Sequence, residues 1–274
     1  MKNTELTVIF VAFDGYSDIW DDCIRLYKMF WPDREYKTFF INNTKEVAYD
    51  GIEVIHAGPD AEWSKKVQIG LNVAESDYVC ILLEDFLVGS TINNALIEET
   101  IEYIEKKGIR YYKTVNMSRA GKNRNSKYDN KEYLHVIPES DEYGVSMQAA
   151  IWDKVFLRSL IGQGNYNAWK FEFDRVKEAQ GKANTPHKGC VFDDRNIFNL
   201  QHGIIQGKYL PCTIKYFKNK GIELNVEREI MPYSAYYKYK AISVLKAVLP
   251  QKMRGPIKRI MEKMGMKFVS TTRQ

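Results

Sequence analysis

Tyr78-Val79-Cys80-Ile81-Leu82-Leu83-Glu84-Asp85-Phe86 is a short apolar run that breaks off in two adjacent carboxylates. A continuous stretch of six such residues reads as a strand buried on both faces, the kind found in parallel sheets. Two acids at one strand terminus repel each other and lose hydration, so a fold keeps them there when a cation or a proton transfer needs them. A divalent metal is the simplest such cation.

The chain around this run alternates strands and helices. Residues 6–13 form a β-branched apolar run, and Asp14-Gly15-Tyr16-Ser17-Asp18 is a turn whose Ser17 or Asp18 is placed to cap the next helix. In that helix Ile19, Trp20, Cys23, Ile24 and Tyr27 recur at helical spacing up to Pro32, with Trp20 in the core. Strands follow at 37–41 and 52–56, the second closed by Gly58-Pro59. Trp63, Val67, Leu71 and Ala74 give the helix that leads into the acid-terminated strand, and a helix over 92–107 stops at Gly108. This β-α-β-β-α-β order implies an α/β fold with a mostly parallel, Rossmann-like sheet flanked by helices, whose ligands collect at the carboxyl ends of the strands. The turn after strand one and the acid pair should therefore face one cleft.

Composition narrows the class. The 274 residues are 45% hydrophobic and 13% aromatic, ample for a large core. Cys23, Cys80, Cys190 and Cys212 are scattered without a CxxC pair, and the N-terminus carries no apolar signal segment, which reads as free thiols in a reducing cytoplasm. No apolar run approaches the roughly 20 residues a membrane-spanning helix needs. From residue 231 onward ten Lys or Arg face the single acid Glu262, a net +9 that leaves −4 for residues 1–230 out of the whole-chain +5. An acidic body argues against a nucleic-acid-binding core and marks the basic tail as a separate device.

Phe13-Asp14-Gly15-Tyr16-Ser17-Asp18-Ile19-Trp20, Trp63-Ser64-Lys65-Lys66, Leu83-Glu84-Asp85-Phe86 and Trp169-Lys170-Phe171-Glu172 occur in that order. Together they resemble bacterial GT-A glycosyltransferases, the nucleotide-sugar-dependent enzymes that build capsule, lipopolysaccharide or related glycans. The likeness runs to about residue 209. It implies a GT-A catalytic domain over 1–230, with a donor half to about 115 and an acceptor half over about 143–230, followed by a basic helical tail over 231–274. It puts Leu83-Glu84-Asp85-Phe86 in the place of the family's DxD, although the third-position acid is missing.

The resemblance also implies roles. Mn²⁺ or Mg²⁺ on hard carboxylate oxygens would neutralise a leaving diphosphate. Asp85 is the expected ligand. Glu84 is open between metal or donor contact and a structural role, because strand neighbours point to opposite faces. Phe13, Asp14 and Tyr16 are expected around the nucleobase, with Asp14 accepting a hydrogen bond from base or ribose and Tyr16 offering a stacking face. Asp14 and Asp18 read equally as turn and cap residues. Ser64 is a natural N-cap at a helix start whose exposed amides favour anions and is expected among the donor contacts, and Lys66, ahead of Lys65, is the basic residue expected near the nucleotide.

Downstream, the segment 143–152 reads as a strand and 154–161 as a short helix. Glu172 stands where the family carries its catalytic base, with Asp174 as the alternative and an amphipathic helix to residue 179 as the plain reading. His202 would complete the metal shell and Lys208 would steady the diphosphate, while Asp193-Asp194 reads as a charged loop. The polar stretch Ser118 through Lys127 suggests a lid. In the tail, Tyr233, Tyr236, Tyr237 and Tyr239 alternate with Lys238 and Lys240, and a second apolar stripe runs from Ile257 to Phe268 beside Lys258, Arg259, Lys263 and Lys267. Such a helix suits the anionic inner face of a membrane.

The expected protein is thus a cytoplasmic, membrane-peripheral glycosyltransferase moving a sugar from a nucleotide-sugar donor to a glycan or lipid-linked acceptor, with inversion. The alternatives are a sugar-nucleotide nucleotidyltransferase, whose phosphate loop would be richer in glycine than the lone Gly15, and a non-catalytic membrane scaffold.

Overall fold

The computed structural model describes residues 6–115, 126–181 and 188–248. Its first unit is β1 (Leu6–Val11), a 3-10 helix (Asp14–Ile19), α1 (Trp20–Phe30), β2 (Lys37–Asn42), β3 (Glu53–His56), α2 (Trp63–Val73) and β4 (Tyr78–Leu83). After the acid pair come β5 (Phe86–Val88), α3 (Asn94–Lys107), β6 (Tyr111–Lys113), β7 (Leu134–Val136), β8 (Ala150–Asp153), α4 (Lys154–Ile161), α5 (Ala168–Ala179) and β9 (Cys190–Asp193). The chain ends in β10 (Leu200–His202), β11 (Ile204–Ile205), β12 (Lys208–Tyr209), α6 (Pro211–Asn219) and α7 (Tyr233–Val248).

Eight strands form one sheet in the order β3-β2-β1-β4-β8-β6-β9-β7. The strands β3, β2, β1 and β4 are parallel, β8 runs antiparallel to β4 and β6, β9 is parallel to β6, and β7 is antiparallel to β9. The chain steps outward from β1 to β2 and β3, then crosses back to β4 on the other side of β1. That reversal between β1 and β4 opens a crevice at their carboxyl ends. The ends of β2, β6 and β9 lie along the same edge.

Alternation along β1 divides the core between two helical layers. Val8 and Phe10 pack with Trp20, Tyr27, Phe40, Leu82, Ile97 and Ile101 on one face, while Ile9 and Val11 pack with Phe39, Ile41, Val67, Leu71, Trp152 and Phe171 on the other. Gly108 stops α3 in a left-handed conformation, φ 62°, that a side chain disfavours. All four cysteines are free, three of them buried. No helix among the described residues is long and apolar enough to cross a membrane.

Four local readings need correction. Ser64 does not cap α2: Glu62 precedes the helix, and the Ser64 hydroxyl instead donates to Gly164 O at 2.9 Å and accepts from Tyr166 N at 2.8 Å. Nor does Ser17 or Asp18 cap α1, because a 3-10 turn runs directly into it and both side chains bind cations from elsewhere, Lys45 and Arg228. The strand expected from 143 begins only at Ala150, since Lys113 Nζ draws the carbonyls of Tyr143 (3.2 Å) and Gly144 (3.5 Å) out of any ladder. Asp193 is no surface loop residue. It is fully buried at the end of β9, where the Tyr112 hydroxyl donates to it at 2.6 Å and the Arg195 guanidinium pairs with it at 2.7 Å. The lid segment before Ser126 and the second tail stripe lie outside the described residues.

Gly70 on α2 is where helix and sheet approach most closely: a Cβ there would meet Ile9 Cδ1 and Cγ2 at 2.9 Å and Ile41 Cδ1 at 3.1 Å. Overpacking of this kind costs roughly 1–3 kcal/mol. Gly70→Ala should lower the melting temperature by about 2–4 °C per kcal/mol in a protein of this size, as read by calorimetry.

Candidate functional site

β4 ends against the first loop. Glu84, buried, accepts from the Phe13 backbone N–H at 3.1 Å and so joins the ends of β4 and β1. Asp85, partly open to solvent, has its own backbone N–H as the one partner of its carboxylate among the described residues. Strand alternation thus gives Glu84 the structural bond and leaves Asp85 available to a ligand. Burial pushes both groups up, Glu84 to about 8 with Asp85 as a further cause, and Asp85 to about 7.

His202 belongs to the same turn. β10 pairs with β5, setting His202 opposite Phe86 with ring centroids 5.0 Å apart, and Gly203 N donates to Asp85 O at 2.7 Å. Burial lowers the His202 pKa and favours the neutral imidazole. Among the described residues no three His, Cys, Asp or Glu side chains form a ready metal shell. Asp85 beside Glu84 would offer hard carboxylate oxygens to Mg²⁺ or Mn²⁺, which would supply charge neutralisation there.

Around the pair, the first loop is held from several sides. Asp14 accepts from the backbone N–H groups of Asn43, Thr44 and Lys45, each at 2.9 Å, and from the Thr44 hydroxyl at 3.0 Å. Burial would raise its pKa, but these hydrogen bonds outweigh it and hold the carboxyl below its usual range. Both Asp14 oxygens therefore bind the turn after β2. Lys66, although lysine is usually a surface residue, is buried: its ammonium donates to Ala12 O and Asn43 Oδ1, both at 2.7 Å, and lies 5.7 Å from the Phe13 ring. Desolvation lowers its pKa while Glu84 opposes that. Lys65 points to solvent.

Phe13 itself is 57% exposed. Its ring lies over Gly15, where a Cβ would collide with it, and meets the edge of Tyr16 at 6.1 Å. Tyr16 has the Arg228 guanidinium 4.4 Å from its ring centroid. Burial raises the Tyr16 pKa, Arg228 opposes this, and the charges of Asp85, Glu84 and Asp18 add to it. The phenol thus lies within the field of the acid pair.

Glu172 and Asp174 fall on different sides of α5, two residues or about 200° apart. Asp174 pairs with Lys170 at 2.6 Å on the surface. Glu172 turns inward and accepts from Met147 N at 3.4 Å, its pKa raised by burial against the Met147 hydrogen bond and the charge of Lys113. Lys113, at the carboxyl end of β6, is buried with its ammonium 3.3 Å from Ser146 Oγ. Lys208 lies on the β11–β12 hairpin and pairs with Glu229 at 2.7 Å. The structure therefore gathers Phe13, Tyr16, Lys66, Glu84, Asp85 and His202 at one crevice, sets Glu172 on the same sheet edge beside β8, and puts Asp174 and Lys208 in surface pairs. Arg228, Asn43 and Lys113 were not visible as site residues in the sequence, because each meets its partners across distant segments.

No protein-family model and no curated protein matches the chain. Solved structures do share its fold. Staphylococcus aureus TarS 1–349 in complex with UDP-GlcNAc has a TM-score of 0.50 at 10% identity, covering 91% of this chain and 69% of that one. A second structure of TarS 1–349 gives a TM-score of 0.44 at 12% identity, with 69% and 60% covered, so this chain spans about 60% of its length. A cytidylyltransferase from Leptospira borgpetersenii gives a TM-score of 0.39 at 11% identity, with 65% and 74% covered. The α/β fold with a large, mostly parallel central sheet between helices is thus shared with a solved TarS structure.

The raised pKa of Glu84 fixes a pH dependence. Between its unfolded value of about 4.5 and its folded value of about 8, the folded state holds a proton that the unfolded chain has released. Stability is therefore full at low pH and falls as pH rises through that window. Urea midpoints measured at pH 5.5 and 8.5 should drop for the wild type and stay flatter for Glu84→Gln.

Proposed function

We propose that the protein is a glycosyltransferase that moves a sugar from a nucleotide-diphosphate-sugar to an acceptor hydroxyl, with inversion and with Mn²⁺ or Mg²⁺. The observation that carries the reading is the carboxylate pair at the β1/β4 switch point, where Glu84 is tied to the backbone and Asp85 is the partly exposed member. TarS, whose fold this chain shares, has been solved with UDP-GlcNAc, and that supports a nucleotide-sugar here.

In this reading the nucleobase lies on the exposed Phe13 ring, since the face of Tyr16 is occupied by Arg228. Asp85, with Glu84 and His202 at hand, holds the cation. The cation supplies charge neutralisation for the departing diphosphate. Glu172 takes the proton from the acceptor hydroxyl as that oxygen attacks the anomeric carbon, and its buried setting raises its basicity for this task. Asp174, engaged with Lys170, is the weaker candidate.

A nucleotidyltransferase would use the same sheet and acids. The loop from Phe13 to Trp20 carries one glycine and no basic residue, which favours sugar transfer over nucleotidyl transfer. The exposed tyrosines 233, 237 and 239 of α7, next to Lys238 and Lys240, support a peripheral seat on an anionic membrane at its cytoplasmic face, where a glycan or lipid-linked acceptor is presented.

The test is a thermal-shift series with UDP-, GDP-, dTDP- and CMP-sugars, with and without Mn²⁺. One donor class should raise the melting temperature in proportion to its occupancy, and no shift with any donor counts against the reading. Asp85→Asn should abolish the Mn²⁺-dependent part of the shift. Phe13→Ala should weaken donor binding by about 1–3 kcal/mol, the usual worth of a base–aromatic stack. Glu172→Gln should spare the shift and lower turnover by roughly 10²–10⁴-fold; near-normal turnover would place the base elsewhere.

A further inference from the structure

The segment between α6 and α7 is extended and crosses the outside of α1. Its alternate residues Ile222, Leu224 and Val226 pack on the core, and polar bonds fix its backbone: Arg25 Nη2 donates to Glu223 O at 2.8 Å, and Asn225 N donates to Asp22 Oδ2 at 2.6 Å. Beyond this the strap pairs with β12 through Tyr209 N to Glu229 O and Met231 N to Tyr209 O, both 2.9 Å. Arg228 is therefore delivered from a backbone anchored on both sides.

Its guanidinium ends at the first loop. Nε donates to Asp18 Oδ2 at 2.6 Å, Nη2 donates to Asp18 Oδ1 and to Gly15 O (3.0 Å), and Nη1 reaches Gly207 O at 3.4 Å. The same planar group lies on Tyr16, 4.4 Å from its centroid. One side chain thus ties the 3-10 turn, its aromatic ring and the β11–β12 hairpin together. Only an arginine offers a two-pronged match to a carboxylate with a flat face left for stacking. The first loop has no side-chain helix cap of its own, so this clamp supplies what local sequence does not.

We propose that Arg228 is a positioning residue for the donor: it holds the loop from Phe13 to Ile19 so that the Phe13 ring and Tyr16 are set in place beside Glu84 before ligand arrives. The proposal rests on the donor reading above. Preorganisation of this kind appears in binding, because a loop that must be ordered by the ligand draws on the ligand's affinity.

The experiment compares wild type, Arg228→Ala, Arg228→Lys and Asp18→Asn in the full chain, by hydrogen exchange and by kinetics with the donor and Mn²⁺. The amides of Phe13 and Tyr16, which donate to Glu84 Oε1 and to Phe13 O, should exchange faster in all three variants while those of β1 stay protected. The donor KM should rise on the order of 10-fold with kcat within about twofold, the signature of lost ground-state positioning. Lysine should not rescue it, and Arg228→Ala with Asp18→Asn should be non-additive, since both open one clamp. Unchanged exchange at Phe13 and Tyr16, or faster exchange with an unchanged donor KM, overturns the proposal while leaving the donor reading intact. If the wild type binds no nucleotide-sugar, the donor reading fails instead, and the exchange data still decide whether Arg228 holds the loop.

Discussion

Glu84 accepting a hydrogen bond from the Phe13 amide joins two strand ends that the chain reaches 71 residues apart. At a switch point the helices before and after diverge to opposite faces of the sheet, so the strands on either side have no connecting element to hold their termini in register beyond the ladder. A side chain must do it. Because Glu84 performs that task from inside the protein, the loop that starts at Phe13 begins from a fixed point. The positions of Asp14 and Tyr16 follow from where that loop begins.

The edge so formed has two differently built halves. At the ends of β1, β2 and β4 the polar groups are anchored by backbone: Asp14 by three amides, Lys66 by Ala12 O, Glu84 by Phe13 N. Such groups keep their places whichever ligand arrives. Beyond β4 the sheet turns antiparallel at β8, and the segment before it is drawn into turns around the buried Lys113, leaving Glu172 with a single 3.4 Å contact to Met147 N. A lightly held carboxylate of raised pKa is suited to exchanging a proton.

The parts of this architecture that rest on local periodicity were legible in the sequence. β4 and its acid terminus, α4 at Lys154–Ile161, the end of α5 at Ala179 and the stop at Gly108 are fixed by residues within a few positions of one another. What could not be read depends on partners far along the chain. Asp193 looks like a solvated acid until Tyr112, 81 residues away, donates to it, and Asp18 looks like a helix cap until Arg228 arrives from 210 residues downstream. Lys66 beside Lys65 looks like half of a solvated pair. Only the packing of α2 on the ends of β1 and β2 buries one and leaves the other outside.

The elevated pKa values of Glu84 and Asp85 carry a consequence for how the crevice trades charge with its surroundings. Near neutral pH the pair retains protons, so the unliganded fold does not store the repulsion of two bare carboxylates. On the proposed reading, a cation that enters would displace those protons. The crevice of that reading would behave as an ion exchanger with hydrogen ion as its resident species, its apparent affinity for a metal set by the acidity of the medium as much as by its oxygens.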